Sequence, residues 1–112
     1  MPLTNRDVER GETGLPYEIT IKKRAEKVLR KFDSLDHDAA MIISDHIISL
    51  SEDPYTPRPG MDITLIRNSS PRKYRLRLGA QTRVEYTIND STNIVDVEEI
   101  IITKRRNTDY KM

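Results

Sequence analysis

An α+β domain is the fold class this sequence predicts, with two helices packed on one face of a small, largely antiparallel sheet in the order β-α-α-β-β-β-β. Three observations predict it. Apolar residues alternate at Tyr17, Ile19 and Ile21, switch to helical spacing from Ala25 to Leu50, and alternate again after Gly60. Helices therefore precede a cluster of strands, the order of α+β domains rather than of repeated βαβ units. The length, 112 residues, is that of one average domain.

Residues 1–16 carry Arg6, Asp7, Glu9, Arg10 and Glu12 with two glycines and almost nothing to bury, so they read as a flexible arm ahead of a single domain over residues 17–112. Tyr17, Ile19 and Ile21 alternate with Glu18 and Thr20 as a short strand with one buried face. From Lys22, the residues Ala25, Val28, Leu29 and Phe32 fall at i, i+3, i+4 and i+7, which makes an amphipathic helix whose outer face is basic through Lys22, Lys23, Lys27, Arg30 and Lys31. Ser34 or Asp36 caps a second helix. In that helix Ala40, Ile43, Ile47 and Leu50 form an apolar stripe, and Met41, Ile42 and Ile48 widen it enough to predict contact with both the first helix and the sheet. Asp53-Pro54 ends the helical half, and the Pro-Gly step of Pro57 to Gly60 suits the centre of a type II turn.

Everything after Gly60 reads as strands. Ile63 and Leu65 mark one, Asn68 to Pro71 a turn, Tyr74 to Leu78 and Val84 to Ile88 two more, and Asn89 to Ser91 the turn before a last strand from Ile94 to Ile102. Glu98-Glu99 breaks the alternation of that strand and predicts a bulge or a protruding end. Placing Tyr74, Leu76 and Leu78 on one face with Val84, Tyr86 and Ile88 requires a loop of odd length around Gly79, three residues being the natural choice.

Composition narrows the function. Charged residues make up 33% and the hydrophobic set 36%, against about 25% and 45–50% in ordinary domains, so the core is small and aliphatic. The absence of cysteine removes thiolate zinc sites and cysteine nucleophiles, and two histidines do not make a zinc site alone. With no acidic cluster, glycine-rich phosphate loop or nucleophile elbow, the sequence calls for no metal and no cofactor. The polar start, lacking a signal-like apolar stretch or a membrane span, predicts a cytoplasmic protein.

A formal net charge of +1 hides a strong asymmetry. Arg58, Arg67, Arg72, Lys73, Arg75, Arg77 and Arg83 stand against Asp62 alone, whereas Val84 to Glu99 holds Glu85, Asp90, Asp96, Glu98 and Glu99 and no base. On one strand Lys73, Arg75 and Arg77 share a face, about 7 Å apart, and the hairpin adds Arg83 to it. The same register sets Glu85 opposite Arg75 or Arg77, an ordinary cross-strand pair worth about 0.2–1 kcal/mol. One carboxylate does not neutralise four cations, so the surplus predicts an anionic ligand. After the last strand, Lys104, Arg105 and Arg106 lead to Tyr110, a basic segment beside an aromatic ring of the kind that stacks on bases.

These elements together resemble the RelE/ParE toxin superfamily over residues 17 to 110. The resemblance rests on Lys73-Tyr74-Arg75-Leu76-Arg77-Leu78-Gly79, then Arg83-Val84-Glu85-Tyr86 after a short turn, and on the ending from Lys104 to Tyr110. It implies a small curved sheet with two helices on one side. It also implies the RelE-type activity, a ribosome-dependent endoribonuclease cutting mRNA, with the ParE-type inhibition of DNA gyrase as the alternative; a non-catalytic RNA-binding module would need the basic face alone. Carried over residue by residue, it assigns RNA contact and chemistry to Arg75 and Arg77, the scissile phosphate to Arg83, the next basic position to Lys104 or Arg105, and the functional tyrosine to Tyr110. Arg72, Lys73, Arg105 and Arg106 extend the RNA-binding surface, and the implied partners are an antitoxin, the ribosome and mRNA. Thr82 stands where an aromatic is frequent in the family, and the turn is one residue shorter than in some members.

The residue types suit the implied chemistry. Metal-independent cleavage through the 2′-hydroxyl needs a proton acceptor, cations for the charge growing on the phosphate, and a donor for the leaving 5′-oxygen. Arginine supplies permanent charge, and Tyr110 transfers a proton only if adjacent cations lower its ordinary pKa of about 10. His37 and His46, nine residues apart on the second helix, read as ordinary helix residues.

Overall fold

The computed structural model describes residues 16–103, so most of the arm and the whole basic ending from Lys104 to Met112 lie outside the described residues. The chain runs β1 (Glu18–Ile21), α1 (Lys23–Leu35), α2 (His37–Ser49), β2 (Asp62–Arg67), β3 (Arg72–Leu78), β4 (Thr82–Asn89) and β5 (Ile94–Ile102), the predicted order. The five strands form one sheet in the order β1-β5-β4-β3-β2. β2 to β5 are an antiparallel meander, and β1 adds to β5 in parallel, with Ile19 opposite Val95. Thr20 Oγ1 donates to Asp96 at 2.9 Å and Lys22 Nζ pairs with the same carboxylate at 2.7 Å, fastening that parallel edge.

Asp36 settles the boundary between the helices. Its N–H donates to the Phe32 carbonyl and closes α1, while its carboxylate accepts the Ala39 N–H at 3.1 Å and caps α2; Ser34 instead bonds back to Lys31. Ala25 is buried with Leu29 and Phe32 packed against the core, and on α2 the stripe Ala40, Ile43, Ile47 and Leu50 is buried as its spacing predicts. The widening of that stripe is not realised. Met41, Ile42 and Ile48 remain 49%, 57% and 60% exposed, because α1 and the sheet both meet α2 on the arc centred on Ile43 and Ile47, and the flanks of the helix meet no layer among the described residues.

The strand half follows its pattern closely. Gly60, at φ +82°, takes the left-handed position of a turn closed by the Met61 N–H on the Arg58 carbonyl at 2.7 Å, the predicted type II geometry. The β3–β4 loop is Gly79 to Gln81, three residues, with Leu78 opposite Thr82 and Leu76 opposite Val84. On β5 the register slips at the paired acids: Glu85 faces Glu99 but Tyr86 faces Val97, leaving Glu98 as the extra residue of a bulge.

At the far end of the sheet a tyrosine ladder replaces helix cover. Tyr74 stacks on Tyr86 with ring centres 6.0 Å apart, and Tyr55 meets Tyr74 edge-on at 5.4 Å. The fully buried Tyr86 hydroxyl donates to the Pro54 carbonyl at 2.8 Å, pinning the loop after α2 to β4. Tyr86→Phe leaves that buried carbonyl without its donor and lowers stability by about 1–2 kcal/mol, read as a shift of the urea midpoint at unchanged slope.

Tyr17 and Tyr55 close the ladder by donating to the two oxygens of Asp90, Tyr17 at 2.6 Å. Burial and then the Asp90 carboxylate push the Tyr17 hydroxyl up to about 12, and the same causes raise Tyr55. Raised acids of this kind contribute stability that is complete below the unfolded value of about 10 and is lost as pH climbs through the folded one. The denaturation midpoint is therefore flat to about pH 10 and falls toward pH 12, and Asp90→Asn makes that fall shallower. An identical alkaline decline in both proteins would show that the Asp90 node plays no part in it.

Candidate nucleic-acid interface

The face of the sheet away from the helices is built by strand alternation. Tyr74 and Leu76 turn inward, so Lys73, Arg75 and Arg77 turn outward, joined by Arg83 and Glu85 from β4. Register sets Arg75 opposite Glu85 and Arg77 opposite Arg83.

The face divides into two halves. In the inner half Glu85 lies 3.5 Å from Lys73 Nζ and 3.6 Å from Arg75 Nη2, and Glu98 approaches the same lysine at 3.5 Å. Glu98 arrives through the bulge, where the extra residue turns its carboxylate onto this face, and Thr87 Oγ1 donates to it at 3.4 Å. One glutamate was the predicted counter-charge; the structure supplies two, and the signal for the second was the Glu98-Glu99 step itself. With side chains only 15–20% exposed, Lys73, Glu85 and Glu98 lie between surface and buried pairs, so removing Glu85 costs on the order of 1–2 kcal/mol rather than the fraction of a kcal/mol given by an exposed pair.

The outer half, beside the β3–β4 loop, is uncompensated. Arg77 and Arg83 occupy directly opposed positions, and among the described residues neither has a carboxylate within 4.0 Å, although Asp62 faces Arg77 across β2. Like charges placed opposite one another oppose folding by several tenths of a kcal/mol. Two positions along the same face, Arg75 Nε is buried with no hydrogen-bond partner among the described residues. Arg77 and Arg83 thus stand opposite one another without a carboxylate partner among the described residues, next to Arg75, whose Nη2 is held by Glu85, an arrangement of charge suited to an oxyanion such as phosphate.

The other predicted site residues separate from this trio. Lys73 belongs to the paired half. Arg72 sits opposite Ile88, so alternation sends it to the helix side of the sheet, about 17 Å along β3 from Arg77. Arg58 also leaves the basic count, since it donates to the carbonyls of Asp53, Thr56 and Ser49 and secures the loop after α2. Lys104, Arg105, Arg106 and Tyr110 lie outside the described residues. The described chain ends at Thr103, whose N–H donates to Gln81 at 2.8 Å, at the same end of the sheet as Arg77 and Arg83.

His37, the first residue of α2, pairs with Asp33 of α1 at 2.6 Å, and His46 with the Ile42 carbonyl of its own helix at 2.8 Å. On the helix side, a groove of about 1370 Å³ opens between the helix pair and the end of β3, lined by Val28, Phe32, Leu35, Ile42, Met61 and Leu78, with Lys31, Arg58 and Arg77 along it. Among the described residues no helix is long and apolar enough to cross a membrane, and no group of three or more acidic or histidine side chains is placed to hold a metal ion.

This architecture is shared with solved toxins of one class. The chain is similar to the archaeal RelE of the RelE-RelB complex from Pyrococcus horikoshii OT3, at 24% identity and TM-score 0.67, over 82% of this chain and 100% of that one. It is similar to the YoeB of the dimer from Staphylococcus aureus at 16% identity and TM-score 0.64, over 80% and 100% of the two chains. The toxin-antitoxin complex RelBE2 from Mycobacterium tuberculosis provides a third, at 19% identity and TM-score 0.61, over 79% and 99%. At these identities the likeness is one of fold, shared with the RelE and YoeB structures. No protein-family model and no curated protein matches the sequence.

Proposed function

We propose that this chain is the toxin of a toxin-antitoxin pair and acts in the cytoplasm as a ribosome-dependent endoribonuclease that cuts mRNA by attack of the 2′-hydroxyl on the adjacent phosphate. The observation that carries the reading is the unpaired Arg77–Arg83 couple with Arg75 beside it. Arg83 holds the scissile phosphate, and Arg75 and Arg77 offset the charge that grows on its oxygens as the 2′-oxygen adds and the 5′-oxygen leaves. Tyr110, the tyrosine that the resemblance assigns to the chemistry beside Lys104 or Arg105, takes the proton of the 2′-hydroxyl and returns one to the departing 5′-oxygen. Seven residues span at most about 25 Å, so Tyr110 is within reach of the arginines from Thr103. Arg105 and Arg106 extend the phosphate contacts along the RNA.

An antitoxin follows from the same reading. The groove beside α1 and α2 combines exposed Leu35 and Ile42 with Lys31 on its rim, a surface suited to an amphipathic helix with an acidic edge. The P. horikoshii and M. tuberculosis structures are themselves complexes of this kind.

Cell-free translation with toeprinting tests the activity. Ribosome-dependent breaks ending in 2′,3′-cyclic phosphate are expected, and mRNA left intact at saturating protein overturns the reading. Inhibition of gyrase supercoiling with translation unaffected would assign the ParE-type activity instead, and salt-dependent RNA binding without cleavage would leave an RNA-binding module. Growth arrest on induction, relieved by an adjacent reading frame, tests the partner.

A further inference from the structure

Of the basic outer face of α1, the reading above uses only Lys31, at the rim of the groove. Lys23, Lys27 and Lys31 stand at i, i+4 and i+8, all exposed, and form a stripe about 12 Å long that winds about 40° around the helix at each step, with Cβ atoms about 6 Å apart. The neighbouring acids are engaged elsewhere: Glu26 pairs with Arg30 at 2.9 Å and Asp33 with His37 at 2.6 Å. Lys22 is held by Asp96, and Arg24 donates to the Glu98 carbonyl at 3.0 Å. Among the described residues the three lysines of the stripe have no carboxylate within 4.0 Å.

The arrangement works against the helix that carries it. Like charges at i, i+4 oppose helix formation, and α1 concentrates cations at its start with none in its last turn, the reverse of what its dipole favours. A helix selected for stability alone would carry glutamate at one or two of these positions. We propose that Lys23, Lys27 and Lys31 form a second polyanion surface that binds the phosphate backbone of double-helical RNA.

The ligand class follows from what the stripe lacks. No aromatic ring stands on it to stack against unpaired bases, so it offers charge alone, in a fixed row suited to a rigid backbone. The apolar side of α1 turns to the core through Ala25, Leu29 and Phe32, and the exposed Val28 and Leu35 line the groove beside α2 rather than a continuous apolar face for insertion into a lipid surface. The inference goes beyond the cleavage reading and does not depend on it, since binding is measured without catalysis.

The test is equilibrium binding of the full chain to an RNA duplex of about 20 base pairs between about 50 and 200 mM salt, comparing the parent with Lys23→Gln/Lys27→Gln/Lys31→Gln. With three phosphate-binding charges neutralised, the slope of log affinity against log salt falls by about 2–3 and affinity at the low-salt end falls about 10- to 100-fold. The Arg triple variant at the same positions restores both. Glutamine is a good helix former, so circular dichroism shows the Gln variant folded, with a thermal midpoint equal to or above the parent's. Duplex affinity and slope unchanged in the folded Gln variant, or a parent chain that does not bind the duplex, overturns the proposal. So does a loss confined to vesicles containing phosphatidylserine, which would assign the stripe to a membrane surface.

Discussion

Replacing Arg83 by alanine lowers ribosome-dependent cleavage about 30- to 1000-fold. A charge-assisted contact that tightens as charge builds on a phosphate contributes about 2–4 kcal/mol to the transition state, which is that range of rate. Stability moves little, or rises, because the substitution removes one of two guanidinium groups forced into opposed positions with no acidic partner among the described residues. Glu85→Gln behaves in the opposite sense. It leaves Lys73 and Arg75 without their shared carboxylate and lowers stability on the order of 1–2 kcal/mol, a cost measured by urea titration. An Arg83→Ala protein that is destabilised but cleaves normally per folded molecule would make the arginine a strut and the proposed site wrong.

Leu76→Ala produces the largest loss of stability, about 3–5 kcal/mol. Leu76 is fully buried in the middle of β3, flanked in register by Ile63 on β2 and Val84 on β4, both buried, so the surrounding strands have little freedom to close the cavity. Against a total of about 5–15 kcal/mol for a domain, that leaves a much larger unfolded fraction at physiological temperature. Leu65→Ala, at a residue 44% exposed on edge strand β2, costs under about 1 kcal/mol and serves as the comparison. Equal urea midpoints for the two variants would mean that the centre of this sheet is not where its stability resides.

Both predictions draw on features read at different levels. The alternation of Tyr74, Leu76 and Leu78 with Lys73, Arg75 and Arg77 is a local pattern, and parity alone then requires an odd hairpin loop and puts Arg83 on the basic face. The loop has three residues and Arg83 stands opposite Arg77. Which cations stay unpaired was not legible. That depended on Glu98, whose carboxylate reaches Lys73 only because a bulge on β5 is set beside β4 and β3 in space. Arg72 shows the same limit from the other side: counted with the basic segment, it separates from the site once its register opposite Ile88 is known.

Helix burial divides in the same way. The spacing of Ala40, Ile43, Ile47 and Leu50 determined which side of α2 is buried, since residues three and four apart share a face whatever they pack against. How wide that face became was decided by the number of neighbours, and α1 and the sheet occupy one arc, leaving Met41, Ile42 and Ile48 outside it. The parallel docking of β1 on β5 and the convergence of Tyr17 and Tyr55 on Asp90 join residues more than thirty positions apart. By itself the sequence determined periodicity, turn chemistry and strand parity, because each is set by backbone geometry over a few residues. Tertiary structure alone decided strand neighbours, the pairing of charges and the exposure of helix flanks, because each depends on which distant segment arrives alongside.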